Sequence, residues 1–400
     1  MTAKGRFAAR LVVPGQGPPI PGGVIEVADG LITNLFPGPD ITATDLGNIV
    51  LLPGLVNAHT HLEFSTIPEP LPATEGMAAW IGDVTNARGG RSEQLDPIRI
   101  GLDELAATGT AAVGEIATSD WPDDRLEQGD PSCVVFREII GLGPERHDEC
   151  MATAARFLAE PTAAGCLRGL SPHAPYSVHP NLYNQLVQLA VSHGVPLATH
   201  LAESPDELEL LAHGDGPLRQ RLEVLGAWNE SAIPRGSRPL DYLVPLAELE
   251  HPLVIHGNLL DHRELDWLAR HRNITVVYCP RTHAHFGLPP HPFRRLLEQG
   301  TPVVLGTDSR ASNPDLSMWN ELQFLARTAA DTQSEVLLAM ATSAAATALG
   351  LESACGTLDI GKQAIAIGVE PGPGSTLTLD SILTSGRLAG VLRQDRWHPA

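Results

Sequence analysis

Histidine and aspartate residues stand where four apolar runs of this 400-residue chain end. His59 and His61 follow the first run, and His200, His256 and Asp308 follow three later ones. Side chains at positions i and i+2 of a strand point the same way, so His59 and His61 can bind one ion. Three imidazoles and one carboxylate suit Zn²⁺, Fe²⁺ or Mn²⁺ and leave a position for water. The spacing therefore predicts a metal site that can activate a water molecule.

The elements that must position these residues are β-branched apolar runs that alternate with helical stretches. We predict strands over residues 49–57, 110–117, 132–140, 167–172, 195–200, 252–256, 274–279 and 301–307. We predict helices over residues 97–107, 148–159, 179–193, 261–271, 316–329 and, after a capping box at 332–335, 335–349. This alternation predicts an α/β fold, a (β/α)8 TIM-like barrel with its chemistry at the carboxyl ends of the strands. A doubly wound sheet is the alternative, but no strand precedes GxGxxG or GxxxxGK[ST].

Both ends of the chain are rich in short strand and turn patterns. Asp29-Gly30 lies between two apolar alternating runs and predicts a β-hairpin. Residues 364–369 and 376–379 repeat this style near the carboxyl end. We therefore predict a small composite β unit from residues 1–50 plus 355–400, and the barrel over residues 51–354.

Charge and composition exclude several classes of protein. The 27 Lys and Arg residues against 47 Asp and Glu give a net charge of −20, which should repel nucleic acid and anionic membranes. No stretch reaches 18 apolar residues, and the amino terminus lacks the apolar core of a signal peptide. Five cysteines without a CxxC pair indicate a reduced protein. These features predict a cytoplasmic protein with a small-molecule substrate and neither a nucleic-acid nor a membrane partner; a homo-oligomer stays open.

Lysine is almost absent, which limits the chemistry further. Only Lys4 and Lys362 occur, and the other basic residues are arginines. The central part of the chain therefore cannot supply a Schiff-base lysine, a P-loop lysine or a carboxylated lysine that bridges two metal ions.

Several strings resemble one superfamily in the order in which they occur. The segment Leu52–His61, which reads LPGLVNAHTH, is similar to the first-strand signature of the amidohydrolase superfamily. The strings at 200–203, 256–257 and 306–309 match its later strands. The resemblance implies a (β/α)8 barrel with a small β-sandwich built from both termini. It also implies one metal ion, because members with two usually bridge them with a carboxylated lysine after strand four, where this chain has Leu170–His173.

The closer resemblance is to the aminohydrolase branch that contains chlorohydrolases and purine-type deaminases. The HxxE string at 200–203, the TDS string at 307–309 and the string SPHAPYS at 171–177 carry it. Within the branch, the strings at 59–65, 214–217 and 279–283 most resemble aminofutalosine deaminases, which act in the alternative menaquinone pathway.

The resemblance assigns roles to residues of this chain. It implies that the metal ligands are His59, His61, His200 and Asp308. Asp308 would also take a proton from the attacking water, Glu203 would protonate the ring nitrogen, and His256 would hydrogen-bond the attacking oxygen.

Three further residues are candidates for substrate binding. His173 closes strand four and could bond the heterocycle, Glu63 could bind ribose hydroxyls, and Arg281 could pair with a carboxylate. A second HxH, at His283 and His285, follows Pro280 and is interpreted as a loop that lines the mouth of the site.

The resemblance implies a metal-dependent deaminase that releases ammonia from an aminated purine-type ring, with 6-amino-6-deoxyfutalosine as the favoured substrate. The alternatives are an adenosine/adenosylhomocysteine-type or guanine deaminase, and a chlorohydrolase or cyclic amidase of the same superfamily. A metal-binding scaffold without activity is the alternative from another class. It would lack a ligand or the proton shuttle, and the sequence lacks neither.

Overall fold

A computed structural model describes residues 4–89, 96–119, 121, 126–127, 129–162, 165–374 and 376–400. The amino-terminal region forms seven strands: β1 Lys4–Ala8, β2 Leu11–Val12, β3 Ile20–Pro21, β4 Gly23–Ala28, β5 Leu31–Pro37, β6 Thr44–Asp45 and β7 Val50–Pro53. The predicted hairpin joins β4 to β5, and Asp29 and Gly30 have φ values of 55° and 77°. Positive φ at both central residues is the signature of a tight hairpin turn.

A sheet of eight parallel strands follows. Its strands are β8 Leu55–Thr60, β9 Thr110–Ala117, β10 Ser132–Ile139, β11 Cys166–Pro172, β12 Leu197–Leu201, β13 Pro252–His256, β14 Thr275–Tyr278 and β15 Val303–Leu305. They pair in sequence order from β8 to β15. The carbonyl oxygen of His59 accepts the N–H groups of Thr307 (3.1 Å) and Asp308 (3.0 Å), which brings the segment after β15 against β8. The sheet is nearly closed, and the predicted TIM-like barrel is confirmed.

Helices surround the strands in alternation. They are α1 Met77–Gly89, α2 Pro97–Ala107, α3 His147–Ala159, α4 Pro180–His193, α5 Pro205–His213, α6 Pro217–Val224, α7 Pro239–Leu246, α8 His262–Leu268, α9 Pro280–His285, α10 Phe293–Glu298, α11 Met318–Thr328, α12 Ser334–Met340, α13 Ser343–Ala348 and α14 Leu379–Ser385. Six of them have proline at a first-turn position, where its missing N–H costs no hydrogen bond, among them α4 and α6. The apolar faces of the helices and the strands form one large buried cluster.

The two ends of the chain build smaller sheets beside the barrel. The carboxyl-terminal strands are β16 Ala366–Glu370, β17 Arg387–Arg393 and β18 Arg396–Pro399. One sheet has the order β5-β4-β1-β6, and the other has the order β18-β17-β16-β7-β2-β3. Ile25 of the first sheet and Leu51 and Leu392 of the second lie in one apolar core. Strands from both termini therefore share a composite β unit, as predicted.

The predicted strand over 49–57 is two strands that belong to different sheets. Gly54 separates β7, which pairs with β16, from β8 of the barrel. Its N–H donates to the carbonyl of Ile365 at 2.9 Å, and a Cβ there would lie 2.7 Å from the Ile365 side chain. The chain thus crosses between the sheets at a point where only glycine fits.

The predicted helix over 335–349 is also interrupted. It divides into α12 and α13 because the carbonyl of Ala341 accepts the N–H of Val56 in β8 at 2.8 Å. The expected capping box does not form, since Gln333 is the N-cap residue and its side chain makes no capping bond. Residues 376–379 do not form a strand; Thr378 caps α14 instead, with its hydroxyl accepting the N–H of Ser381.

Within the described ranges, no helix is both long and apolar enough to cross a lipid bilayer.

Candidate metal centre and active-site cavity

The HxH motif lies at the carboxyl end of β8, where both imidazoles are buried. His59 Nε2 lies 3.5 Å from Asp308 Oδ1, and His61 Nε2 lies 3.8 Å from the same oxygen. Asp308 follows β15, the strand at the other edge of the sheet. Closure of the barrel therefore brings residues almost 250 positions apart in the sequence into one donor cluster.

His200 and His256 complete the cluster from the ends of β12 and β13. Their ring centroids lie 5.0 and 5.6 Å from that of His59. Donor atoms of His59, His200 and His256 lie within 4.8 Å of one another, and so do those of His59, His61 and Asp308. His200 Nδ1 lies 3.0 Å from the carbonyl of His173, which leaves Nε2 to face the cluster.

The polar atoms of this cluster fit a divalent transition-metal ion. Both ring nitrogens of His59 and Nδ1 of His61 are buried without a hydrogen-bond partner in the described structure. Burial lowers the pKa of each of these histidines well below its usual value, and neighbouring histidines lower it further. Neutral imidazole is the form that binds a metal ion. Since an unpaired buried polar atom is costly, a metal ion explains this arrangement better than hydrogen bonding does.

Asp308 is held tightly in a strained backbone conformation. Its φ is 58°, a left-handed value that is uncommon for residues other than glycine. Its Oδ1 accepts the N–H of Ser309 at 2.7 Å, and its Oδ2 accepts the hydroxyl of Ser312 at 2.9 Å. The Thr60 hydroxyl donates to its carbonyl at 2.8 Å. These contacts fix the carboxylate beside the HxH motif.

Glu203 faces the same cluster from the loop after β12. Its Oε1 lies 3.2 Å from His256 Nε2, and both residues are buried. Burial raises the pKa of Glu203 well above its usual value, and the nearby Asp308 carboxylate raises it further. A carboxyl group of raised pKa can carry a proton at neutral pH. The structure thus brings Glu203, His256 and Asp308 together.

Glu207 holds the Glu203 loop in place, and sequence reasoning missed it. Its carboxylate oxygens accept the N–H of Ala202 at 2.8 Å and of Glu203 at 2.9 Å. Ala202 has a φ of 51°, so this loop needs such support. Glu207 is fully buried, which raises its pKa to about 7. The string Ser204-Pro-Asp-Glu207 matches a capping box and could have identified the residue.

His173 and a second missed carboxylate, that of Glu138, lie beside the donor cluster. His173 Nδ1 lies 2.7 Å from the Ser177 hydroxyl, and His173 Nε2 lies 3.8 Å from Glu138 Oε1. Burial raises the pKa of Glu138 to about 7. Sequence reasoning could have identified Glu138 as a charged residue inside the apolar strand β10. Glu115 is a charged residue inside the apolar strand β9 in the same way. Glu115 is buried and accepts the N–H of Leu62, directly after the HxH motif, at 2.9 Å.

A cavity of about 1060 Å³, which includes its opening to solvent, joins these groups. Its polar floor contains the six residues His61, His173, His200, Glu203, His256 and Asp308. Its other wall is formed by α1 and the α6 region and is mostly apolar, with Met77, Trp80, Ile81, Leu218 and Leu222. One side of the cavity therefore suits proton transfer, and the other suits an apolar part of a ligand.

The other candidate residues lie outside the cavity lining. Glu63 pairs with Arg88 at 2.7 Å, and of the two only Arg88 lines the cavity. The Arg281 guanidinium forms two hydrogen bonds with Asp315, at 2.8 and 2.9 Å. A protein partner therefore already balances the charge of each candidate, Arg88 for Glu63 and Asp315 for Arg281.

The second HxH lies in helix α9 and not in the predicted loop. His283 contacts Asn258 Oδ1 at 3.0 Å, and His285 Nε2 contacts the carbonyl of Leu71 at 2.8 Å. Neither lines the cavity, because each imidazole makes a structural contact that fixes a neighbouring segment. The interpretation as mouth lining is therefore not supported.

Comparisons with known proteins agree with this architecture. Aminodeoxyfutalosine deaminase from Deinococcus radiodurans is 30% identical over 325 residues, which cover 76% of this chain and 75% of that protein. The crystal structure of Helicobacter pylori aminofutalosine deaminase in complex with methylthio-coformycin matches 98% of this chain and 99% of that one, with 23% identity and a TM-score of 0.81. A zinc-bound adenosine deaminase from Xanthomonas campestris matches 98% of this chain and 92% of that one, with 22% identity and a TM-score of 0.73.

The family model described as "Amidohydrolase family" matches residues 50–394. This range includes every strand of the barrel and every residue of the donor cluster. The chain therefore belongs to the amidohydrolase family and is a hydrolase that acts on carbon–nitrogen bonds.

Proposed function

We propose that this protein is a metal-dependent deaminase that releases ammonia from an aminated purine-type ring. The favoured substrate is 6-amino-6-deoxyfutalosine, the ring amine that the names of two similar proteins point to. The observation that carries the proposal is the buried contact of 3.2 Å between Glu203 and His256, beside Asp308 in one cavity. This contact supports the proposal because burial raises the pKa of the Glu203 carboxyl group, and the group lies beside an imidazole and the donor cluster.

We assign the metal to His59, His61, His200 and Asp308. A divalent transition-metal ion supplies a water whose pKa is lowered to about 7. We favour one ion, because no lysine lies between Lys4 and Lys362 to bridge a pair. Zinc is our first choice, and Fe²⁺ and Mn²⁺ suit the same ligands.

We assign each proton transfer to a residue of this chain. Asp308 accepts a proton from the attacking water. Glu203 gives a proton to the ring nitrogen next to the amine-bearing carbon, which weakens the aromaticity of the ring and makes that carbon electrophilic. His256 holds the attacking oxygen by a hydrogen bond. The proton that Asp308 took from water passes to the amine, which departs as ammonia, and the proton left on the oxygen returns to Glu203. The burial of all three residues excludes water that would compete for these protons.

His173 is the proposed contact for the heterocycle. Its imidazole lines the cavity, the hydroxyl of Ser177 orients it through Nδ1, and the carboxylate of Glu138 lies 3.8 Å from its Nε2. Glu63 reaches the cavity only through Arg88, so a role in binding ribose would be indirect. For Arg281 we propose a structural role beside Asp315 and not the predicted contact with substrate.

The same donor cluster and Glu203 also serve two alternatives. The first is a different ring amine, as in an adenosine, adenosylhomocysteine or guanine deaminase. The second is removal of chloride from a heterocycle or hydrolysis of a cyclic amide.

Three further proposals concern the molecule as a whole. The barrel covers residues 51–354, and the β unit is formed by residues 1–50 plus 355–400. The protein is cytoplasmic, and assembly as a homo-oligomer stays open.

A screen for ammonia release tests the proposal. Candidate ring amines are 6-amino-6-deoxyfutalosine, adenosine, methylthioadenosine, adenosylhomocysteine, guanine and cytosine, with a chlorinated triazine and a cyclic amide as the other arms. We expect the highest kcat/KM for 6-amino-6-deoxyfutalosine, and no activity in His200→Ala purified in parallel. Preference for another ring amine would replace the substrate. Turnover of only the triazine or the cyclic amide would contradict the deaminase proposal.

A further inference from the structure

Two arginines of the described ranges line the active-site cavity, and they differ in what balances their charge. Arg88 pairs with Glu63 at 2.7 Å. The side chain of Arg221, in α6, donates from Nε to the carbonyl of Ala78 at 2.8 Å and makes no other hydrogen bond in the described structure. No carboxylate of the described residues lies within 4.0 Å of its nitrogens. In a chain with a net charge of −20, an arginine without an acidic partner inside a cavity needs an explanation.

The guanidinium of Arg221 is held in one orientation. A Cβ added at Gly82 of α1 would lie 2.8 Å from Cζ, Nη1 and Nη2 alike, so the guanidinium lies flat over this glycine. Together with the bond from Nε to Ala78, this stacking fixes the plane and leaves Nη1 and Nη2 available. A guanidinium that is oriented in advance loses little entropy when it binds a carboxylate through two hydrogen bonds.

The surroundings of Arg221 are apolar. Leu218 and Leu222 of α6 and Met77 and Ile81 of α1 form the neighbouring wall of the cavity. The carboxylates in the cavity lining, Glu138, Glu203 and Asp308, belong to the floor formed by the strand ends and not to this wall. The wall thus offers a cation and apolar contacts, and among the described residues that form it no carboxylate is available to pair with an ammonium group. An apolar arm that ends in a carboxylate fits it, and a zwitterionic amino acid does not.

We propose that Arg221 is a specificity-determining residue that binds a carboxylate on an apolar or aromatic arm of the substrate. This inference rests on the proposed function, because it takes the arm to be part of a ring amine whose reacting carbon lies at the metal cluster. The substrate class is accordingly a purine-type nucleoside with an apolar, singly anionic substituent. Adenosine and methylthioadenosine lack the anion, and adenosylhomocysteine adds an ammonium group.

The test compares an acid with its neutral ester. Three substrates are compared. The first is 6-amino-6-deoxyfutalosine, which carries a benzoate; the second is the methyl ester of that acid; and the third is methylthioadenosine. Arg221→Met keeps the apolar stem and removes the charge. Arg219→Met is the control on the same helix, where the guanidinium pairs with Glu223 and Glu230 away from the cavity.

We expect Arg221→Met to lower kcat/KM for the acid by about tenfold or more, mainly through KM, because hydrogen bonds to a charged group are strong. Values for the ester and for methylthioadenosine should change little, Arg221→Lys should restore part of the loss, and Arg219→Met should resemble the wild type. Equal losses for acid and ester would show a structural role, and no loss for the acid would remove Arg221 from recognition. Either result overturns the inference.

A binding measurement separates this inference from the proposed function. Calorimetric titration with the deaminated acid, futalosine, and with its methyl ester needs no turnover. Tighter binding of the acid by wild type, and equal binding of both by Arg221→Met, would support the carboxylate site even if no ring amine released ammonia. Equal binding of acid and ester by the wild type would overturn the site even if the enzyme is a deaminase.

Discussion

At the scale of single residues, the site consists of polar groups that are buried together. Burying any one of them without the others would cost free energy. His59 has two buried ring nitrogens with no hydrogen-bond partner among the residues that the structure describes, and Glu203 is a buried carboxyl group beside the carboxylate of Asp308. Sequence reasoning found these residues because each stands where an apolar run ends. It missed Glu207 and Glu138, whose roles depend on contacts between elements and not on position along a strand. It also proposed Arg281, whose charge is balanced by Asp315, a partner that only the fold reveals.

Glu203→Gln tests the proton-transfer role. The amide is nearly the same size as the acid, so the fold and the metal content should be kept. It cannot give a proton to the ring nitrogen at neutral pH, and kcat should fall by at least about 100-fold. Steady-state rates and elemental analysis on the same preparation provide the measurement.

His200→Ala is the matched contrast, because it should lose metal and activity together. A Glu203→Gln enzyme with nearly native kcat would exclude the residue from the mechanism. Loss of metal from that variant would instead make Glu203 a ligand or a structural support.

At the scale of elements, the loops after the strands decide where the reactive groups lie. Ala202, His256 and Asp308 all have positive φ values, and each belongs to a turn that ends a barrel strand. The strands and helices were predictable from hydrophobic period and capping residues. The breaks in these elements were not predictable, because they lie where Gly54 and Ala341 form hydrogen bonds with segments that are distant in the sequence.

Glu207→Gln tests the support of the Glu203 loop. One carboxylate oxygen would become an NH₂ group that faces a backbone N–H, so the loop should shift. A misplacement of about 1 Å can cost roughly 100-fold in rate, and we expect kcat to fall by ~10–100-fold while metal content stays near that of the wild type. Glu209→Gln, at an exposed position of the same helix, should have native kinetics. A native kcat in Glu207→Gln would show that the Glu203 loop keeps its conformation without the hydrogen bonds to the Glu207 carboxylate.

Gly306→Ala tests the closure of the barrel at the donor cluster. The new Cβ would lie 3.0 Å from the Cβ, N and O atoms of His59. Overpacking of this kind costs about 1–3 kcal/mol, and here it displaces a proposed ligand. We expect a lower Tm and weaker metal binding, measured by thermal denaturation and by competition with a chelator.

Gly350→Ala is the control for simple destabilisation. Its Cβ meets open space, but its φ of 69° makes alanine unfavourable by about 1–2 kcal/mol. Its Tm should fall while its metal affinity stays native. If Gly306→Ala behaved in the same way, the close approach of β15 to β8 would not matter to the metal site.

At the scale of the whole molecule, closure of the barrel turns scattered sequence motifs into one site. The terminal strands form a β unit beside it, and Arg393 of β17 donates to the carbonyl of Thr110 at the start of β9. Eight alternating strand and helix patterns were enough to predict the barrel. Its strands are buried along almost their whole length, so each one appears in the sequence as an apolar run. The apolar wall of the cavity was not predictable, since α1 and α6 meet only after the chain has closed.

The central claim is that one bound metal ion supports the release of ammonia, and a metal titration tests it most directly. Protein freed of metal with a chelator is titrated with Zn²⁺ while ammonia release from the best ring amine is measured. The account predicts no activity without metal, a linear rise, and a plateau at one equivalent per chain. A plateau at two equivalents would contradict the single-metal site, and full activity in the metal-free protein would contradict metal-dependent deamination.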